Sequence, residues 1–196
     1  MNFKSKNKLV IGLTGGMLSG KSTALKVFAR CGAFVLSCDE LVREISARSS
    51  VQKKITDLFG KNDKTFLTQK VFHSAGARKK LENLLHPLVL AEMKKRLKED
   101  KNKIQVVEVP LLFEAGWEKF FDCTLALMAP DKNLKKRLSA RQVKKEDFEK
   151  RSAAQFSAEK KAALADICLL NDGTVEHLTQ KVQNLYQAFT KIYQVK

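Results

Sequence analysis

Long apolar runs are missing from this chain of 196 residues. A membrane-spanning helix needs roughly 18 or more consecutive apolar residues. The apolar stretch after the basic amino-terminal residues, Leu9–Leu13, is far shorter and is broken by Gly12. We therefore expect neither a membrane segment nor a signal peptide, and we expect a cytoplasmic protein. With 44% hydrophobic residues, the chain is nevertheless apolar enough to form one folded domain with a core.

Cysteine is scarce, and the cysteines are dispersed. The four of them form no C-x-x-C pair: Cys31, Cys38, Cys123 and Cys168. This spacing indicates small buried thiols in a reduced compartment, and it gives no reason to expect a metal bound by cysteine.

Acidic residues are also in deficit, with 21 Asp and Glu against 37 Lys and Arg, so that the formal net charge is +16. A basic surface suits either a nucleic acid or a small polyanionic substrate. The basic residues are spread from Lys4 to Lys196 among acidic ones, and the chain contains no RNA-binding aromatic motif and no zinc-finger spacing. We expect no nucleic-acid partner, although a nucleic-acid-binding ATPase stays an alternative that rests on charge alone.

The most informative segment that is present runs from Lys8 to Thr23. A short apolar stretch leads into G-x-x-x-x-G-K-[ST], from Gly15 to Ser22, and then into a helical pattern. In such a phosphate-binding loop (P-loop), glycines let successive N–H groups point at phosphate oxygens, and a helix amino terminus adds its positive dipole end. Lys21 is expected to contact the β- and γ-phosphates, and the Ser22 hydroxyl to bind Mg²⁺. The segment therefore predicts an ATP-type site.

Strand-like and helical segments alternate along the rest of the chain. Further strands are predicted at Ala33–Leu36, Ile104–Val109, Cys123–Met128 and Ile167–Leu170, with helical segments between them. Pro87 is predicted to interrupt one long helical stretch. Strands separated by helices favour an α/β fold, a three-layer α/β/α arrangement around a central parallel sheet, in which ligands bind beyond the carboxyl ends of the strands.

Several blocks of the sequence are similar to dephospho-coenzyme A kinases. The blocks occur in the family's order between about Leu9 and Tyr186: Gly12-Leu-Thr-Gly-Gly, Cys38-Asp39 with Arg43-Glu44, Leu85-His86-Pro87-Leu88-Val89, Glu108-Val-Pro110-Leu-Leu-Phe-Glu114, Arg151-x-x-x-Gln155 and Asn171-Asp172-Gly173. The resemblance implies transfer of the ATP γ-phosphate to the ribose 3′-hydroxyl of dephospho-CoA, the last step of coenzyme A synthesis. It also implies one P-loop kinase domain over residues 1–196, with a helical substrate-binding insertion at about 48–100 and a mobile lid at about 132–156.

Together, the P-loop motif and the resemblance assign the site residues. ATP binding is assigned to Gly15, Gly16, Leu18, Ser19, Gly20, Lys21, Ser22, Thr23, Arg137, Arg141, Asn171 and Gly173. Acceptor binding is assigned to Asp39, Arg43, His86 and Glu114, and Mg²⁺ binding to Ser22 and Glu108. The predicted catalytic residues are Lys21, Asp39, which would accept the hydroxyl proton, and Arg141, which would reach the γ-phosphate from the lid. We expect ATP and dephospho-CoA as the binding partners and slightly favour a monomer.

Two positions depart from the family pattern. The family usually has glycine where this chain has Leu18, in a P-loop that here reads Gly16-Met17-Leu18-Ser19. It usually has Asp-x-Asp after the second strand, where this chain has Ser37-Cys38-Asp39. The first carboxylate is therefore missing, and we do not count on this position for Mg²⁺ binding.

Several alternatives stay open at this point. Asp39 is also suited to capping a helix, Glu108 to a plain surface position, His86 to capping the preceding helix, and Arg137 to solvation on a basic helix. Another small-molecule or nucleoside kinase would share the P-loop. A nucleotide-dependent switch is a further alternative because Asp57-Leu-Phe-Gly60 fits D-x-x-G, but that tetrapeptide follows a helical pattern, and no N-K-x-D motif occurs.

Overall fold

A five-stranded parallel sheet forms the centre of the fold. The computed structural model describes residues 3, 7–140, 148, 152–153 and 155–194. Its strands are β1 (Leu9–Gly15), β2 (Phe34–Ser37), β3 (Ile104–Glu108), β4 (Cys123–Met128) and β5 (Ile167–Leu170). They lie in the order β2-β3-β1-β4-β5, and every neighbouring pair is parallel. The predicted α/β fold with a central parallel sheet is confirmed.

Helices follow the strands in the expected alternation. They are α1 (Lys21–Arg30), α2 (Cys38–Ser46), α3 (Ser49–Phe59), α4 (Lys64–His73), α5 (Ala75–Glu99), α6 (Asp131–Ala140), α7 (Ala158–Leu164) and α8 (Val175–Gln194), with a short 3₁₀ turn at Glu118–Phe120. Every residue of β1 and β3 is buried, as expected for central strands covered on both faces. Ile11, Leu13, Phe28, Leu125 and Val182 are among the residues of the core that the strands share with α1 and α8.

The chain divides into two compact units. The first, which we call the sheet unit, comprises Met1–Ser37 and Asp100–Lys196 and contains the P-loop. The second, the helical unit, comprises Cys38–Glu99. The helical unit begins ten residues before the insertion expected at about 48, because α2 belongs with α3–α5.

The helical unit is organised around α5. Four apolar side chains spaced four residues apart form a buried stripe along this helix: Leu85, Val89, Met93 and Leu97. At its carboxyl-terminal half, Glu92 accepts hydrogen bonds from Arg48 at 2.8 Å and from Arg96 at 3.0 Å. These two arginines hold the pKa of Glu92 below its usual value. Arg96 also pairs with Glu44 of α2, so that one charged cluster links α2, the residue before α3, and α5.

Pro87 does not interrupt the helix, and the prediction of a break there was wrong. α5 continues through Pro87 for 25 residues. A proline inside a helix removes the hydrogen bond to the carbonyl four residues earlier, here that of Asn83. Pro87 and Asn83 are both exposed, so water can solvate that carbonyl, while buried Leu85 and Val89 on either side hold the two halves in line.

The cysteines were expected to be free, buried thiols, and the structure agrees with the first property but not the second. All four are free thiols, as expected, but only Cys38 is buried, and Cys168 is exposed on β5.

Within the described ranges, no helix is long and apolar enough to cross a bilayer.

Candidate active site

The P-loop connects the carboxyl end of β1 to α1. Gly15 has a φ of 145°, and a Cβ there would lie 2.2 Å from the Leu127 carbonyl oxygen, so only glycine fits between β1 and β4. Gly20, with a φ of 105°, precedes α1, and no side chain caps that helix. The first amides of α1 are therefore available to an anion at the position where the motif predicts phosphate.

The Lys21 side chain folds back over this loop. Its Nζ donates to the carbonyl oxygens of Gly15 at 3.1 Å and Gly16 at 2.9 Å. The ammonium is thus held beside the loop amides, and a phosphate bound by those amides would gain a full positive charge next to it.

Leu18 has an unusual backbone conformation. Its φ of 61° makes it the one non-glycine residue with positive φ among the residues that the structure describes. Arg137 Nη1 donates to the Leu18 carbonyl oxygen at 2.9 Å, and Asn171 Nδ2 donates to the Ser19 carbonyl oxygen at 2.7 Å. Two consecutive loop carbonyls are therefore fixed by side chains from α6 and from the turn after β5.

A cleft of about 280 Å³ adjoins the P-loop on this side. Arg137 and Asn171 line it together with Leu18, Gly20, Thr23 and the segment that begins at Gly173. A Cβ at Gly173 would lie 2.3 Å from His177 Nδ1, so that a larger residue would collide with the start of α8. The structure brings Asn171 and Gly173, which were predicted to bind ATP, into one cleft with the P-loop. Arg141 lies outside the described residues.

The predicted metal ligands are two oxygen donors at the edge where the strands end. Glu108 is buried at the end of β3, in register with Leu13 of β1 and Ser37 of β2. Ser22 is exposed in the first turn of α1, and its hydroxyl makes no hydrogen bond with any residue that the structure describes. A hydroxyl and a carboxylate are hard oxygen donors of the kind that Mg²⁺ takes together with waters and phosphates, so these residues fit that ion. No group of three or more His, Cys, Asp or Glu side chains is arranged for a metal within the described part of the chain.

Sequence reasoning missed a buried lysine that contacts the segment after β3. Lys161 on α7 is 0% exposed, and its Nζ donates to the Pro110 carbonyl at 2.6 Å and to Gln155 Oε1 at 3.1 Å. It also pairs with Glu114 Oε1 at 3.1 Å, and the same oxygen accepts a hydrogen bond from the Phe156 amide at 2.7 Å. Burial lowers the pKa of Lys161, although the Glu114 charge opposes this effect. Glu114, predicted to bind the acceptor, thus has its carboxylate engaged within the sheet unit.

The acceptor residues predicted by resemblance lie in the helical unit, apart from Glu114. Asp39 is exposed and is the second residue of α2. Its carboxylate accepts no hydrogen bond from the residues that the structure describes, so the alternative of a helix cap is wrong. Arg43 is exposed on α2, 3.7 Å from Glu40. His86 is half-buried in α5, where burial lowers its pKa against the opposing charge of Glu82. It lies inside the helix, so it does not cap a preceding one.

A cleft of about 530 Å³ opens within the helical unit. Its lining is mostly apolar, with Arg43 and a few polar side chains among residues of α2, α3, α4, α5 and the connection between α3 and α4: Val42, Arg43, Ser46, Ile55, Asn62, Leu67, Thr68, Val71, Leu81 and Leu85. Asp57 of the D-x-x-G tetrapeptide lies inside α3, and Gly60 follows that helix with a φ of 80°. This tetrapeptide is a helix end and not a switch loop behind a strand, which removes the support for a nucleotide-dependent switch.

Comparison with known proteins identifies the family. A sequence model of the family "Dephospho-CoA kinase" matches residues 9–177. The dephospho-CoA kinase of Protochlamydia amoebophila is 33% identical, with 93% of this chain and 97% of that protein covered. The protein of the same name from Fusobacterium nucleatum is 36% identical, with 89% of this chain and 95% of that protein covered. A crystal structure from Thermus thermophilus superimposes with a TM-score of 0.83 at 31% identity, covering 93% of this chain and 98% of the other. The chain belongs to the dephospho-CoA kinase family.

Proposed function

We propose that this chain transfers the γ-phosphate of ATP to the ribose 3′-hydroxyl of dephospho-CoA. The observation that carries this function is the family match over residues 9–177, which includes the P-loop between β1 and α1. In the reaction, the hydroxyl oxygen forms a bond to the γ-phosphorus. The bond between the γ-phosphorus and the oxygen that bridges it to the β-phosphorus breaks. ADP leaves with that electron pair, and the hydroxyl proton passes to a carboxylate.

We assign the nucleotide to the P-loop and to the adjoining cleft. The triphosphate would bind the amides of the loop and of the first turn of α1, and Lys21 would exchange its contacts with the Gly15 and Gly16 carbonyls for phosphate oxygens. The nucleoside would enter the cleft beside Arg137 and Asn171. Mg²⁺, held by Ser22 and Glu108 with phosphate oxygens, would neutralise charge on the phosphates.

Asp39 is the proposed proton acceptor. Phosphoryl transfer needs a group that orients the attacking hydroxyl and takes its proton. Asp39 follows β2 by two residues, it is exposed, and its carboxylate makes no hydrogen bond with the part of the chain that the structure describes, so it is available to a substrate. Arg141 is the proposed partner of the γ-phosphate during transfer.

The helical unit is the proposed site of the acceptor. Its cleft of about 530 Å³ is large enough for the flexible pantetheine arm, whose methyl and methylene groups would contact the apolar lining. Arg43 lines the same cleft and offers a positive charge to a diphosphate. Cytoplasmic location and the monomeric state stay predictions.

The decisive test is incubation of the purified chain with ATP, Mg²⁺ and dephospho-CoA, with coenzyme A followed by mass spectrometry. Phosphorus NMR distinguishes the 3′-phosphate from the 2′-phosphate, and nucleosides serve as competing acceptors. Lys21→Ala should lower the rate by about 10²–10³ because it removes a charge from the transferring group. Lys26→Ala, an exposed lysine of the same helix, is the matched control and should keep the parent rate. Phosphorylation of a nucleoside in preference to dephospho-CoA would contradict the proposal.

A further inference from the structure

Leu18 is a leucine held in a conformation that suits glycine. Its φ of 61° lies in the left-handed region, where the Cβ of an ordinary residue crowds the neighbouring carbonyl. Such a residue persists only where surrounding contacts fix it, and these positions concentrate at ligand sites. The family usually has glycine here, so the side chain in this protein is a departure that destabilises the loop.

The contacts around Leu18 explain why the loop keeps this conformation. The Leu18 carbonyl accepts a hydrogen bond from Arg137 at 2.9 Å, and the next carbonyl, that of Ser19, accepts one from Asn171 at 2.7 Å. Asn171 is buried, so the second contact is shielded from water. The backbone is therefore fixed from the side of the nucleoside cleft, whichever residue occupies position 18.

The surroundings of the side chain indicate what the leucine adds. Leu18 lines the cleft of about 280 Å³, where Val175 and Leu178 are the other large apolar residues. Val175 is 61% exposed, so its side chain is accessible to a ligand in the cleft. A purine has two apolar faces, and removing them from water on binding lowers the free energy of the complex. The cleft thus combines polar groups at Arg137 and Asn171 with apolar groups at Leu18 and Val175.

We infer that the Leu18 side chain is a binding contact for the nucleoside of the bound nucleotide, one that glycine at this position does not provide. The contact accounts for the retention of a strained leucine, because a bound nucleoside would offset the part of the strain that the Arg137 and Asn171 hydrogen bonds leave uncompensated. Since ATP is taken as the nucleotide, this role rests on the proposed function.

Two variants separate the side-chain contact from the backbone strain. Leu18→Gly removes both, whereas Leu18→Ala keeps a Cβ in the left-handed region and removes only the contact. Without nucleotide, the melting temperature of Leu18→Gly should be about 1–4 °C above that of the parent. The melting temperature of Leu18→Ala should not rise, because the strain of the Cβ remains. Both should bind ATP about 5- to 15-fold more weakly, the loss that corresponds to roughly 50 Å² of apolar contact.

Tripolyphosphate distinguishes the nucleoside contact from an effect on the phosphate loop. Isothermal titration should give the parent and both variants the same affinity for tripolyphosphate, within about twofold, because that ligand has no nucleoside. Met17→Gly is the matched control for added loop flexibility, and it should not weaken ATP binding relative to tripolyphosphate. If ATP and tripolyphosphate weaken together, or if neither weakens, the inference is overturned. Failure of the proposed function would look different: the parent would form no coenzyme A, whatever the result of the titrations.

Discussion

Replacing Lys161 with methionine removes a buried ammonium while keeping most of the side-chain volume. The Nζ is fully buried and lies close to three oxygen atoms, those of the Pro110 carbonyl at 2.6 Å, Gln155 at 3.1 Å and Glu114 at 3.1 Å. The substitution leaves the Glu114 carboxylate, only 14% exposed, with the Phe156 amide as its remaining donor in the described part of the chain.

The expected loss follows from this geometry. Removing one partner of a buried ion pair destabilises a protein by about 3–5 kcal/mol, since the other charge stays buried without compensation. Glu114 keeps one hydrogen bond and some solvent exposure, so we expect about 2–4 kcal/mol for Lys161→Met. For a chain of this size this corresponds to a decrease in melting temperature of roughly 4–16 °C.

Thermal and urea unfolding measure the loss, with Lys160→Met as the matched control. Lys160 is the adjacent, exposed lysine of α7, and its Nζ lies 3.5 Å from the Phe156 ring centroid, a contact worth at most about 1 kcal/mol. Adding Glu114→Gln to Lys161→Met should recover about 1–2 kcal/mol, because an amide is less costly to bury unpaired than a carboxylate. A loss for Lys161→Met no larger than that for Lys160→Met would refute the assignment of a stabilising buried pair, as would a double variant no more stable than the single one.

Three further predictions concern activity and pH. Asp39→Asn should lower turnover by about 10²–10⁴ with little change in melting temperature, because its carboxylate makes no hydrogen bond to the described residues; normal turnover would dismiss it as the base, and Glu40→Gln is the control from the same helical turn. Arg141→Ala should slow single-turnover transfer more than it weakens ATP binding, and the reverse pattern would make it a ground-state anchor. Burial holds the pKa of His86 below its usual 6.5, so its contribution to stability is complete above that pH and is lost as the pH falls through the lowered pKa. His86→Gln should therefore lose less stability than the parent between about pH 7 and about pH 5, and equal losses would contradict this.

The sheet could be predicted because its signals are local. Each strand is a short apolar run bounded by glycine, proline or polar residues, and the P-loop motif fixes the junction between β1 and α1. The alternation of strands with helices then requires parallel neighbours. Asp39 and Glu108 could be placed at strand ends for the same reason, but the alternative of a plain surface position for Glu108 was wrong, because this residue is buried.

Other features depend on surroundings that a single sequence does not specify. Pro87 was expected to interrupt a helical stretch, yet it lies inside α5 at an exposed position, where the carbonyl left without a donor is near solvent. The roles of Arg137 and Asn171 depend on loop carbonyls more than a hundred positions earlier in the chain. The departure at Leu18 was visible in the sequence, but its left-handed backbone and its place in the cleft were not.

Lys161 shows why apolar periodicity fails at such a site. In α7, Lys161 is fully buried, whereas Leu164 is 50% exposed. A hydrophobic pattern would predict the reverse, with the leucine buried and the lysine in solvent. Burying an ammonium is unfavourable unless acceptors surround it. Here the acceptors come from the segment after β3 and from Gln155, and they are brought together only when the sheet has formed. The position of Lys161 is therefore set by the arrangement of oxygen atoms around it, and the same lysine in an isolated helix would lie in solvent.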